Sequence, residues 1–138
     1  MTGTDIALPV LTGERVLVVE PGDDAAASLT ALLRLNGFNA RAVQTGSAAV
    51  AATAATRPDV VVLDLGLPDA DGCEVIRWLR AGPNPPAVVV VTGQTGAAAR
   101  REAEEAGAAG YLLKPADPDA LVALVRQLCQ AASETAAG

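Results

Sequence analysis

The chain has 138 residues, enough to bury one sizeable core but too few for two ordinary domains, and 51% of them are hydrophobic. Its net charge of −6 argues against a sticky basic surface for DNA or RNA, and the sequence shows no local basic patch that would hold nucleic acid. Aromatic residues make up only 2%, so the core must be built from Val, Leu and Ala.

Residues 1–13 carry Thr, Gly and Pro without periodicity and residues 132–138 are small and polar, so both are expected to be flexible tails around an ordered unit at 14–131. The uncharged apolar runs, such as 87–91, are far too short to span a membrane, and the amino terminus lacks a basic-then-apolar signal pattern. A soluble, cytoplasmic protein is expected. Cys73 and Cys129 lack metal-ligand spacing and the chain has no His to join them, so both read as small core or helix-face residues in a reducing compartment.

In chain order, Val16-Leu17-Val18-Val19 is a buried strand stopped at Glu20, and Pro21-Gly22 forces a turn after it. Asp23 or Asp24 is expected to cap the following helix, on which Leu29, Leu32 and Leu33 recur at helical spacing until Asn36-Gly37 ends it. Phe38 to Gln44 reads as a short strand. Ser47 to Thr56 reads as an Ala-rich helix that must end before Arg57-Pro58, because the residue preceding a proline leaves the helical region.

Val60-Val61-Val62-Leu63 is a strand buried on both faces, and it stops at Asp64 and the loop Leu65-Gly66-Leu67-Pro68-Asp69-Ala70-Asp71-Gly72. A helix from about Cys73 to Arg80 carries Val75 and Leu79 on one face, and Gly82-Pro83-Asn84-Pro85-Pro86 closes it. Ala87 to Val91 is a third two-sided strand, ending in Thr92-Gly93. Thr95 is expected to cap a helix to Ala106 whose apolar stripe is nearly all Ala, which makes it the most weakly docked. Tyr111-Leu112-Leu113 is a brief strand ended by Lys114-Pro115, and Asp117 to Gln130 is a helix with Leu121, Leu124, Val125 and Leu128 on one face.

Five strands alternating with five helices imply a parallel α/β sheet with helices on both faces. The flavodoxin-like (βα)5 doubly wound order 2-1-3-4-5 makes the three most apolar strands central. In that order Glu20, Asp64, Thr92 and Lys114 emerge at one edge of the sheet. Their chemistry is coherent: a carboxylate can attack a phosphoryl group, a second acid can help hold a hard cation, and a hydroxyl and an ammonium can bind phosphoryl oxygens. No phosphate-binding glycine loop, dinucleotide fingerprint, nucleophile elbow or histidine competes with this reading.

The combination of Val-Leu-Val-Val-Glu20, Asp64-Leu-Gly-Leu-Pro-Asp-Ala-Asp-Gly72, Thr92-Gly93 and Tyr111-Leu-Leu-Lys114-Pro115 resembles the receiver domain of bacterial response regulators over roughly 14–131. The resemblance implies that Asp64 is the phospho-acceptor, charged by a histidine kinase or phosphotransfer protein of a two-component phosphorelay. It makes Thr92 the switch hydroxyl, Lys114 the partner of the phosphoryl oxygens, Tyr111 the switch aromatic, and the Lys114–Pro115 bond cis. It implies a magnesium site at Asp64, the Gly66 carbonyl and a second acid, for which Glu20 is expected to stand in, directly or through water.

Receivers usually end the first strand with two acids, and here Glu20 is followed by Pro21, so magnesium is expected to be held weakly. Asp23 and Asp24 come too late for that pair. A short Ala-rich tail after the last helix suggests a stand-alone receiver, or one cut from a larger protein, acting on an unidentified output protein rather than on DNA. By the resemblance its output face is the fourth helix, fifth strand and fifth helix, and a homodimer is left open. The alternative is a pseudo-receiver, a docking or dimerisation domain that keeps the fold without the phosphate switch. An enzyme or nucleotide binder of this fold is disfavoured, because the loops after the first and third strands lack a phosphate-cradling glycine pattern.

Overall fold

A computed structural model describes residues 13–137, with side chains as far as Ala131. The elements are β1 (Arg15–Val19), α1 (Asp23–Leu35), β2 (Asn39–Val43), α2 (Gly46–Thr56), β3 (Val60–Leu63), α3 (Gly72–Ala81), β4 (Ala87–Thr92), α4 (Ala97–Ala106), β5 (Gly110–Leu113) and α5 (Pro118–Ala137). All strand pairs are parallel and the order is β2-β1-β3-β4-β5, so the fold is the flavodoxin-like one that the alternation implies.

The three most apolar strands are central because each face of the sheet is covered. Leu17, Val19, Val61, Leu63, Val88 and Val90 point into one core with Ala49 of α2, Val75, Ile76 and Leu79 of α3, and Ala103 and Ala106 of α4. Val16, Val18, Val60, Val62, Val89 and Val91 point into the other, against Leu33 of α1 and Leu121, Val125 and Cys129 of α5. Alternate residues of one strand therefore serve opposite cores, and this parity also decides where the polar residues at the strand ends point. Cys73 and Cys129 are buried free thiols in the two cores, as expected.

Four local expectations are corrected. Gly22 stands at the N-cap of α1 without a side-chain cap, and Asp23 and Asp24 lie in the first turn, where they favour the helix through its dipole rather than by capping. Asp23 instead accepts a hydrogen bond from the Gln44 side-chain amide. Thr95 does not cap α4: Gly96 does, at φ 111, a left-handed backbone that a threonine would adopt only with strain. Helix α2 begins at Gly46, capped by Thr45, whose hydroxyl accepts from the Ala48 N–H at 3.1 Å. Helix α5 runs on to Ala137 instead of ending at Gln130. Of the tail expected at 1–13, residues 1–12 lie outside the described residues.

Among the described residues no helix is long and apolar enough to cross a membrane.

Candidate phospho-acceptor site

The ladder continues one residue past the strands and thereby positions the site. Glu20 N–H donates to the Val43 carbonyl at 3.0 Å, Asp64 N–H to Val19 at 3.0 Å, and Lys114 N–H to Thr92 at 2.9 Å. By the pleat, Glu20, Asp64 and Lys114 fall on the side of α1 and α5, following Val18, Val62 and Leu112. There the Lys114 Nζ lies 2.5 Å from Glu20 Oε1 and 2.8 Å from Asp64 Oδ2. Burial works against the Lys114 ammonium, but its hydrogen bonds to Asp64 and Glu20 outweigh it and hold its pKa above the ordinary lysine value.

The remaining carboxylate oxygens are also engaged. Glu20 Oε2 accepts from the Gly22 N–H at 2.9 Å, and Asp64 Oδ1 accepts from the Gly66 N–H at 3.0 Å. Glu20 is only 6% exposed, so it serves as a buried counter-ion to Lys114. As a donor set for magnesium, Glu20, Asp64 and the Gly66 carbonyl are hard oxygens of the right kind, yet only two are charged and both carboxylates are already bonded. The residues fit a weakly held cation. A separate group of metal-capable side chains, Asp71 and Cys73 at the start of α3 and Glu102 of α4, brings its ligand atoms within 4.8 Å of one another outside this crevice.

Thr92 and Tyr111 follow the opposite parity and belong to the other side of the sheet, with Val90 and α4. The buried Thr92 hydroxyl accepts from the Gln94 N–H at 3.2 Å, and the Tyr111 hydroxyl donates to the Gln94 carbonyl at 2.8 Å. The Arg100 guanidinium of α4 stands 6.0 Å from the Tyr111 ring centroid. The structure thus brings Glu20, Asp64 and Lys114 into one cluster and Thr92 and Tyr111 into a second one joined through Gln94. Gln94 was not singled out in the sequence, because it acts through its backbone and any residue type would read the same. The Lys114–Pro115 bond is cis, as the resemblance implies.

Asp69 was also missed. Its Oδ1 accepts from the Gly46 N–H at 2.7 Å and its Oδ2 from the Ser47 N–H at 3.0 Å, and these hydrogen bonds hold its pKa below the usual carboxylate range. Beside Asp64, an apolar groove of about 460 Å³ runs between α1 and α5, lined by Leu29, Leu32, Val62, Val91 and Leu121.

Comparison with known proteins agrees with this geometry. The response regulator receiver domain family matches residues 16–126. The transcriptional regulatory protein PrrA of Mycobacterium tuberculosis is 39% identical over 126 residues, which is 91% of this chain and 54% of that protein. The DNA-binding response regulator MtrA of Mycolicibacterium smegmatis is 41% identical over 113 residues, 82% of this chain and 49% of MtrA. The chain spans about half the length of these relatives, and both are named as regulators of transcription or binders of DNA, a role the sequence reading had set aside. Among solved structures, the signal receiver domain of a LuxO repressor protein from Vibrio parahaemolyticus superposes with a TM-score of 0.84 at 26% identity, covering 89% of this chain and 95% of that one. A CheY-like receiver domain protein from Methanospirillum hungatei, at 20% identity, shares the fold with a TM-score of 0.85 over 90% of this chain and 99% of its own. With the family matched over residues 16–126 and the strand order in agreement, the chain belongs to the response regulator receiver domain family.

Proposed function

We propose that the chain accepts a phosphoryl group on Asp64 from a histidine kinase or phosphotransfer protein and thereby changes a protein-binding surface. The observation that carries this reading is the Lys114 ammonium 2.8 Å from the Asp64 carboxylate at the carboxyl edge of the sheet. An Asp64 oxygen attacks phosphorus as the P–N bond of a phosphohistidine breaks; the electron pair leaves with the imidazole, which takes up a proton, and an acyl phosphate remains. Lys114 then stands beside the new phosphoryl oxygens, its positive charge compensating the anion that the step brings into the crevice. A magnesium ion, when bound by Glu20, Asp64 and the Gly66 carbonyl, supplies further charge compensation.

The output follows from the second cluster. A Thr92 hydroxyl drawn toward a phosphoryl group gives up its bond to the Gln94 N–H, and the Gln94 carbonyl is what holds Tyr111. The consequence falls on α4 and β5, which with α5 form the surface offered to an output protein or to a following domain.

The test is the intact mass after incubation with acetyl phosphate and magnesium. A phosphoryl mass gained by wild type and absent from Asp64→Asn supports the reading. A second reading, a pseudo-receiver that docks or dimerises without phosphorylation, is favoured by one observation: Pro21 stands where a second acid would be, and both oxygens of Glu20 are already bonded. Wild type that stays unmodified with every donor supports that alternative.

A further inference from the structure

The loop between β3 and α3 carries the acceptor at one end, and both ends of it are closed tightly. The Asp64 carboxylate bonds the Gly66 N–H, and Asp71 caps α3 by accepting from the Cys73 N–H at 3.0 Å. A Cβ on Gly72 would lie 2.6 Å from the Leu65 Cα, so the two ends of the loop touch and only glycine fits there. Between them, Asp69 reaches sideways to α2, twenty-three residues earlier in the chain.

The contact caps α2 and also ties two distant segments of the chain together. The first free N–H groups of α2 are those of Gly46, Ser47 and Ala48, and a helix start leaves such donors without partners of its own. Thr45, the local cap, takes Ala48; the other two are taken by Asp69. A carboxylate at this end is favoured by the helix dipole, and two charge-assisted bonds from one rigid group fix direction as well as distance. The packing is equally close: a Cβ on Gly46 would lie 2.9 Å from Val75 Cγ2, 3.2 Å from Ala70 Cβ and 3.2 Å from Asp69 Oδ1. The acceptor loop, α2 and α3 therefore meet at one point, and Asp69 is the polar tie across it.

We propose that Asp69 is a positioning residue for phosphoryl acceptance: by holding Gly46 and Ser47 it fixes the acceptor loop, and with it the Gly66 backbone against Asp64. The proposal rests on the reading of Asp64 as acceptor. A side chain outside the crevice then sets the orientation of the nucleophile inside it.

The test compares Asp69→Asn, Asp69→Ala and Thr45→Ala in the full chain, reading the exchange rate of the Gly66 amide hydrogen by NMR and the rate of mass gain with acetyl phosphate. Asp69→Asn, which keeps one strong acceptor, should raise Gly66 exchange severalfold, and Asp69→Ala about tenfold or more. Thr45→Ala, which weakens the same helix end without touching the loop, should leave Gly66 within about twofold of wild type. Phosphorylation should slow in the same order. Equal changes in Asp69→Ala and Thr45→Ala would make Asp69 a helix cap only and overturn the proposal, as would an unchanged Gly66 amide in Asp69→Ala. Wild type that gains no phosphoryl mass overturns the acceptor reading, and the positioning proposal with it. That failure is distinguishable, because Gly66 exchange reports on the tie whether or not phosphorylation occurs.

Discussion

Glu20 and Lys114, ninety-four residues apart, form a direct ion pair in which the carboxylate is buried and the ammonium is about one-third exposed. The pair ties the end of a central strand to the end of an edge strand, and the second partner of Lys114 is the proposed acceptor, Asp64. Removing the ammonium leaves a buried acid with one partner fewer. Lys114→Gln should therefore lower stability by about 1–3 kcal/mol, the cost of an incompletely satisfied buried group. Glu20→Gln combined with Lys114→Gln should recover part of that loss, because no uncompensated charge remains. Urea unfolding of Lys114→Gln and of the double variant checks this, and a double variant no more stable than Lys114→Gln alone would contradict it.

Magnesium binding should be weak and phosphorylation slow in wild type, because Pro21 offers no carboxylate and Glu20 is engaged by Lys114 and the Gly22 N–H. Pro21→Asp should tighten magnesium by about tenfold or more, the effect of roughly 1.4 kcal/mol from one added charged ligand, and should speed mass gain. Titration calorimetry and the rate at low magnesium measure both. Equal rates in wild type and Pro21→Asp would sink the metal argument.

Helix α4 should be less protected from hydrogen exchange than α3, since its buried residues are Ala103 and Ala106, whereas α3 buries Cys73, Val75, Ile76 and Leu79. It should also change most on addition of a phosphate mimic. Trp78, the only tryptophan, is 51% exposed on α3, away from the acceptor, so its fluorescence should respond little. Finding α3 more labile than α4 would refute this.

Stability should fall at alkaline pH. Burial pushes the Cys73 thiol up to about 11, with the Glu102 and Asp71 charges adding to it, and pushes Cys129 up to about 12. Lys114 is also shifted upward. For each group the folded value lies above the unfolded one, so its contribution is complete below the unfolded pKa and is lost as pH rises through the folded pKa. For the thiols that window opens near 9.0. The thermal midpoint should fall from pH 9 to pH 11, and both thiols should resist alkylation in the folded protein at pH 8. A midpoint that rises over this range would contradict the assignment.

Much of this protein was legible in its sequence because the signals are local and periodic. Runs such as Val60-Val61-Val62-Leu63 announce strands buried on both faces, their acids mark the carboxyl edge, and the parallel order follows from what must be central. Glu20, Asp64 and Lys114 could be placed at one edge on that basis alone. Which face each side chain takes at that edge needed the register, because parity along the pleat separates Thr92 and Tyr111 from the acceptor cluster and only neighbouring strands reveal it. The caps were misplaced at Asp23, Asp24 and Thr95 because short polar residues near a helix start look alike in sequence, while the backbone angle of Gly22 or Gly96 is set by the approach of the loop. The Asp69 tie to Gly46 and Ser47 leaves no periodic trace at all. It exists because folding brings the tip of one loop against the first turn of a helix far away in the chain, where two free N–H groups await an acceptor.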